Sequence, residues 1–153
     1  MLFRSGVKVR IGSQACGTNT REALAAALDA AERARVPVMV HIADGADVPA
    51  VLRSLRPGDV VTHALTANGT GILDAEGRIV PEAREARRRG VIFDVGHGCG
   101  SFTWRTARRA LDDGFAPDTI STDLHRYSIL HPVVDLPTTM AKLRHLGMSD
   151  AEV

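Results

Sequence analysis

The chain has 153 residues with 44% hydrophobic content, enough to bury the core of one domain and too much for a disordered tail. Nineteen Lys and Arg against eighteen Asp and Glu leave a net charge of +1, so there is no broad basic field of the kind nucleic acid selects. No run reaches the ~18 apolar residues of a membrane span, and the N-terminus has no apolar signal core. The expectation is a soluble, cytoplasmic protein with no nucleic-acid or membrane partner.

In chain order, short β-branched runs alternate with Ala-, Leu- and Arg-rich stretches at helical spacing, which argues for consecutive βα units and a parallel sheet. The first strand is predicted over Gly6 to Ile11, followed by a helix from Thr20 to Arg35 with the buried stripe Leu24, Ala27, Leu28 and Ala31. Asn19 with Glu22 three residues on has the form of a capping box. A second strand, Pro37 to His41, leads to a helix from Val48 to Leu55 with Asp47 as N-cap and a stop at Arg56-Pro57-Gly58. The third strand is Asp59 to His63; Gly69, Gly71 and Gly77 around Ile72 to Val80 predict an excursion or small hairpin before a helix opens at Pro81. Gly90 closes that helix, Val91 to Val95 form the fourth strand, and Ser101 caps a helix ending at Gly114. Thr119 to Thr122 give a short fifth strand, and a last helix runs from Leu136 to Leu146. The basic runs Arg84 to Arg89 and Arg105 to Arg109 carry alanines at helical spacing and read as solvated helix faces. Cys16 and Cys99 supply no disulfide framework, so reduced thiols are expected.

Parallel strands joined by helices form an open doubly wound sheet or a closed barrel, and both place their sites at the C-terminal ends of the strands. Those ends carry Lys8, His41, His63, Asp94 with His97, and Asp123 with His125. Singly, each has an ordinary structural explanation: a solvated strand edge, a hydrogen-bonded core histidine, a helix cap. Jointly, strands packed ~4.8 Å apart bring these ends onto one rim where several side chains can reach one ion. Imidazole and carboxylate suit zinc, manganese or iron. Such an ion lowers the pKa of bound water to about 7 and polarises a carbonyl, the chemistry of amide or ester hydrolysis. Lys8 is expected to be buried between Val7 and Val9 and depressed in pKa; its neutral amine would take up carbon dioxide as a carbamate, an anionic ligand able to bridge two metals.

The stretches Gly6-Val-Lys-Val-Arg10, Val38-Met-Val-His41, Pro57-Gly-Asp-Val-Val-Thr-His63, Phe93-Asp-Val-Gly-His-Gly-Cys-Gly-Ser-Phe102, Ile120-Ser-Thr-Asp-Leu-His125 and Asp135-Leu-Pro-Thr-Thr-Met140 resemble, in order, the amidohydrolase superfamily in its deacetylase-like, dihydroorotase-like branch. The resemblance implies an α/β fold that is part of a (β/α)₈ TIM barrel, strands four to eight, with residues 1–153 as one partial domain. It implies that Lys8 ends the fourth strand and is carboxylated, that His41 and His63 end the fifth and sixth as ligands of a second metal, and that Asp123 ends the eighth. Asp123 would bind the first metal and act as general base, and His97 would lie near a small acylated substrate. One or two divalent ions, zinc first among them, are the implied cofactors. The family's first-strand His-x-His pair has no counterpart here, and the first three strands are missing; the family also continues beyond the point matched by Val153. The expectation is therefore a fragment, a split product or an open half-barrel that pairs with itself or with a complementary N-terminal half.

Three rival readings use the same residues. Cys99 could be a nucleophile with His97 as its base; the Gly-His-Gly-Cys-Gly-Ser stretch could cradle a phosphate, although it matches neither standard phosphate-binding fingerprint. The third is a non-catalytic remnant that binds a metal or a partner.

Overall fold

Strand alternation in this chain separates two chemically different sheet faces. A computed structural model describes residues 6–66 and 71–153. In it β1 (Val7–Ile11), β2 (Val38–Ile42), β3 (Val60–Thr62) and β4 (Ile92–Phe93) pair in parallel in the order β1-β2-β3-β4. The ladder sets Val7 beside Val38, Val9 beside Val40, Ile11 beside Ile42, Val40 beside Val61, and Val61 beside Phe93. Residues in register share a face, so these side chains make one apolar surface, on which Val38, Val40, Val61 and Phe93 are fully buried. The opposite face takes the alternate residues: Lys8, Arg10, Met39, His41, Val60, Thr62 and Ile92.

The helices are α1 (Ser13–Cys16), which buries no residue and borders the cleft, and α2 (Thr20–Ala34), α3 (Val48–Ser54), α4 (Pro81–Arg88), α5 (Trp104–Asp112) and α6 (Leu136–His145), which share one core with the apolar face. Each of the five longer ones buries a narrow stripe: Leu24, Ala27 and Ala31 in α2, Val51 and Leu52 in α3, Ala83 and Ala86 in α4, Ala107 and Ala110 in α5, Leu143 in α6. The alanines let helices lie close to the sheet. Asp47 caps α3 as expected, its side chain accepting from the Ala50 N–H at 3.0 Å. Ile72 to Val80 fold as the expected small hairpin, with Leu73 bridged to Ile79; Gly69 lies outside the described residues. The expected fifth strand is a bonded run beside β4, not a regular strand. Asp94 bridges Thr119, and the N–H groups of Val95, His97 and Gly98 donate to the carbonyls of Thr119, Ser121 and Thr122 at 3.0, 3.0 and 2.9 Å.

Two local expectations are corrected. The capping box at Asn19 does not form: Asn19 has φ −90° and ψ 34°, outside the extended region in which an N-cap side chain reaches back to the first-turn amides. The one-turn helix α1, which had no apolar periodicity to reveal it, runs almost directly into α2 and sets that conformation. Thr103, not Ser101, caps α5, its hydroxyl accepting from the Thr106 N–H at 3.3 Å.

At the N-terminal end of the strands Asp59 is 1% exposed and locks the start of β3 to β2. Its Oδ1 accepts from the Val38 N–H at 2.8 Å and from Arg56 Nη2 at 3.1 Å; its Oδ2 accepts from the Arg56 N–H at 2.8 Å and Nε at 3.1 Å. Burial pushes this carboxyl up, but the Arg56 side chain and the two backbone donors outweigh it and hold it below the usual carboxylate range. A depressed carboxylate stabilises the fold above its unfolded pKa of about 3.9, and that stability is lost as pH falls through the lower folded value. Asp59→Asn is therefore expected to cost about 1–3 kcal/mol at pH 7. Its deficit against the unsubstituted chain should shrink steadily below about pH 4 in urea denaturation. A deficit independent of pH would show that the charge is not what matters.

Candidate functional site

His41 lies on the open face of the sheet, in register with Arg10 on β1 and Thr62 on β3. Strict alternation after Thr62 would send His63 to the helix side. Instead His63 has a left-handed backbone, φ 66°, which breaks the alternation and turns its ring back. Nε2 of His63 sits 2.7 Å from Nδ1 of His41, the rings meeting edge to face at 72°. This conformation costs a non-glycine residue about 1–2 kcal/mol, and sites of function are where such strain collects. The strain is held locally: His63 Nδ1 is 2.6 Å from the Gly96 carbonyl, and the Ala64 N–H donates to the Asp94 carbonyl at 3.1 Å. Gly96 has φ +49°, and a Cβ there would lie 2.1 Å from Thr62 Oγ1 and 2.8 Å from His63 Nδ1. Only glycine fits.

A carbonyl accepts and cannot donate, so His63 Nδ1 carries the proton and Nε2 presents its lone pair toward His41. Burial, then the neighbouring His63, Arg10 and Lys8, push the His41 imidazole down to about 4 against the pull of Asp123. Burial likewise lowers His63, opposed by the Gly96 carbonyl and by Asp123. Both rings are neutral near pH 7, the form in which imidazole binds a cation.

Lys8, His41 and Asp123 line one cleft of about 440 Å³, together with Arg10, Asp44, Cys99, Ser101 and His125. His63 lies buried behind His41. Asp123 is the second left-handed site residue, φ 45°; its Oδ2 rests against Gly98, where a Cβ would come within 3.0 Å. Lys8 differs from expectation in one respect: its side chain is exposed, because it projects from the open sheet face while Val7 and Val9 pack on the other. Asp94 is a structural hub. Its carboxylate accepts from the Thr62, Thr119 and Ser121 hydroxyls at 2.7, 2.8 and 2.7 Å, tying β3, β4 and the 118–122 segment together beneath the histidines.

His97 is 2% exposed and lies off the cleft wall. Its Nδ1 is 2.8 Å from the Gly98 carbonyl, Nε2 is 2.8 Å from Lys142 Nζ on α6, and its ring stacks on Phe102 with centroids 4.6 Å apart. Lys142 also donates to the Pro132 carbonyl. With both ring nitrogens engaged, His97 is not the base for Cys99, although that thiol is exposed in the cleft. The phosphate-cradle reading also loses two of its donors, since the His97 and Gly98 N–H groups are bonded to the Ser121 and Thr122 carbonyls.

The donor set fits a divalent cation. Two neutral imidazoles converge, and one is oriented by a backbone carbonyl on its far nitrogen, the usual support for a metal-binding histidine. Among the described residues no three His, Cys, Asp or Glu side chains form a ready-made metal group.

No protein-family profile matches the chain. It is 37% identical to a deacetylase of Enterococcus faecalis over 155 aligned residues, 99% of this chain and 42% of that protein. A crystal structure of an adenine deaminase superposes with a TM-score of 0.90 at 37% identity, over 95% of this chain and 40% of that one. A dihydroorotase superposes at 0.86 and 36%, with the same coverages. The chain belongs to the amidohydrolase superfamily. This amidohydrolase chain thus spans about two-fifths of the length of the relatives it matches, and its parallel βα units are a partial TIM barrel. Its open sheet face, the one bearing Lys8, Arg10 and His41, corresponds to the interior of such a barrel.

Sequence reasoning missed three parts of this amidohydrolase site. Arg10 carried a signal, since it stands two residues after Lys8 and so on the same face. Gly96 was visible only as one glycine among several. Lys142 gave none, because a lysine near a helix C-terminus is ordinary.

Proposed function

We propose that the chain carries the metal-ligand edge of a metal-dependent amidohydrolase that cleaves an amide C–N or ester bond of a small acylated molecule. The observation that supports this most directly is the His41–His63 pair, held with one tautomer fixed by Gly96 in a strained backbone beside Lys8 and Asp123. His41 and His63 would hold the ion, zinc by ligand type, with Lys8 as the third ligand once its amine has given up a proton, added carbon dioxide and released a second proton to give a carbamate. A bound ion supplies Lewis-acid polarisation of the acyl carbonyl and an acidified water. Asp123 would take the proton from that water and hand it to the departing amine or alcohol. Its place on the cleft wall, within electrostatic reach of both imidazoles, suits that role.

A partner enters the same proposal: a second copy of the chain, or further βα units, would complete the ligand set and cover the open sheet face. Reduced Cys16 and Cys99 suit a cytoplasmic setting, and among the described residues no helix is long and apolar enough to cross a membrane. A second reading, favoured by there being no three-residue ligand group among the described residues, is that the chain binds metal or a partner without turnover. Metal analysis with a screen of acyl amides and acyl esters, with and without the complementary βα units, separates the two. Asp123→Asn should retain most of the metal and lose turnover by at least about 100-fold, the scale of general-base contributions. Undiminished hydrolysis would remove Asp123 from the chemistry, and no hydrolysis in any assembly would leave the binding reading.

A further inference from the structure

His125 lies on the cleft wall without a part in ion binding or proton transfer. It is nevertheless held at three points. Its N–H donates to Ser128 Oγ at 3.0 Å, the Ser128 hydroxyl donates back to the His125 carbonyl at 3.1 Å, and the Tyr127 N–H donates to ring Nδ1 at 3.3 Å. Ser128 is fully buried, so this clasp anchors the turn that follows Asp123 while the His125 ring stays exposed to the cleft. A backbone N–H can only donate, so Nδ1 accepts and the neutral ring carries its proton on Nε2. With Nδ1 turned to the Tyr127 amide, the Nε2–H edge is the one left for the cleft. Among the described residues nothing accepts from it.

Asp123 stands two residues earlier on the same wall. A carboxylate and a fixed N–H donor thus face one acyl group from two sides. We propose that His125 is a catalytic residue whose Nε2–H donates to the acyl oxygen of the substrate as that oxygen gains charge. The inference rests on the acyl-hydrolase reading and adds a residue to it. When the water oxygen attacks the acyl carbon, its proton goes to Asp123 and the carbonyl π pair moves onto the acyl oxygen. That pair returns as the bond to the leaving group breaks, and the proton passes from Asp123 to the departing amine or alcohol. His125 keeps its own proton throughout. A donor already oriented for the charged oxygen costs no reorganisation at that moment. A carbonyl oxygen has two lone pairs, so this donor adds to the polarisation that a bound ion supplies.

Dimethylphosphinate, a tetrahedral oxyanion shaped like an attacked acetyl group, is titrated onto the zinc-treated whole chain carrying isotope-labelled histidine. Long-range proton–nitrogen NMR is expected to show the His125 proton on Nε2 before addition, and the Nε2 resonance should move as the probe binds. His125→Phe keeps a ring and loses the donor, and should bind the probe about tenfold more weakly, the scale of one hydrogen bond to a charged group. His125→Gln, whose amide can donate from a similar place, should retain part of the affinity. A proton on Nδ1, an unmoved Nε2 resonance, no probe binding, undiminished binding in His125→Phe, or His125→Gln no better than His125→Phe overturns the role. Loss of zinc in His125→Phe overturns it too, by making the ring a ligand. The tautomer and the probe are read without turnover, so this role fails independently of the acyl-hydrolase reading, which falls if no assembly hydrolyses acyl amides or esters.

Discussion

Gly96→Ala is expected to be the most destabilising single-methyl change at the site, because the methyl group would overlap Thr62 Oγ1 at 2.1 Å and crowd His63 Nδ1 at 2.8 Å at a residue with φ +49°. The backbone term is about 1–2 kcal/mol. The overlap adds about 1–3 kcal/mol, because the neighbours on both sides are buried and cannot step aside. Together they should lower the melting temperature by roughly 4–20 °C, given about 2–4 °C per kcal/mol for a domain of this size. Gly100→Ala is the control, since a Cβ there meets no atom within 4 Å. Thermal melts that place the two variants within about 2 °C of each other would contradict the close approach of β3 and the 96–98 loop. The same methyl would dislodge the Gly96 carbonyl from His63, so metal affinity should drop with stability, on the order of 10–100-fold as for other groups that orient a ligand.

His63→Ala should take the zinc content of the chain, or of its completed assembly, from stoichiometric to background. The neighbouring His41 would remain, but one imidazole at the edge of an open cleft is a weak site. Full metal occupancy in His63→Ala would remove this residue from the ligand set. A companion variant separates the ligand role from the backbone role. His63→Gly loses the same imidazole yet relieves the left-handed strain, so it should be more stable than His63→Ala by about 1 kcal/mol in denaturant unfolding. Equal stabilities would mean that the φ of 66° carries no cost.

The placement of Lys8, His41 and Asp123 on one cleft was legible because parallel strands leave their ends on one rim, and the alternation of Val7, Val9 and Ile11 with Lys8 and Arg10 fixes which side each takes. The meeting of His41 and His63 was legible in outcome but not in cause. Alternation alone sends His63 the wrong way, and its left-handed turn depends on Gly96, 33 residues further on, which no local pattern announces. The exposure of Lys8 was hidden for a related reason: valine neighbours suggest burial, yet they belong to the opposite face. Asp94 read as one of the strand-end acids of the rim, and its carboxylate is taken up by three hydroxyls from two other segments. Contacts between distant segments left no trace in spacing, whereas face and edge did.

The bond from Lys142 to His97 gives the last helix a reach beyond its own packing. Through His97 and Gly98 it bears on the loop against which Asp123 rests, so α6 acts as a splint for a carboxylate it never touches. A ligand or subunit that lifts α6 by even an ångström would loosen that splint first, giving the far side of the molecule a handle on the cleft.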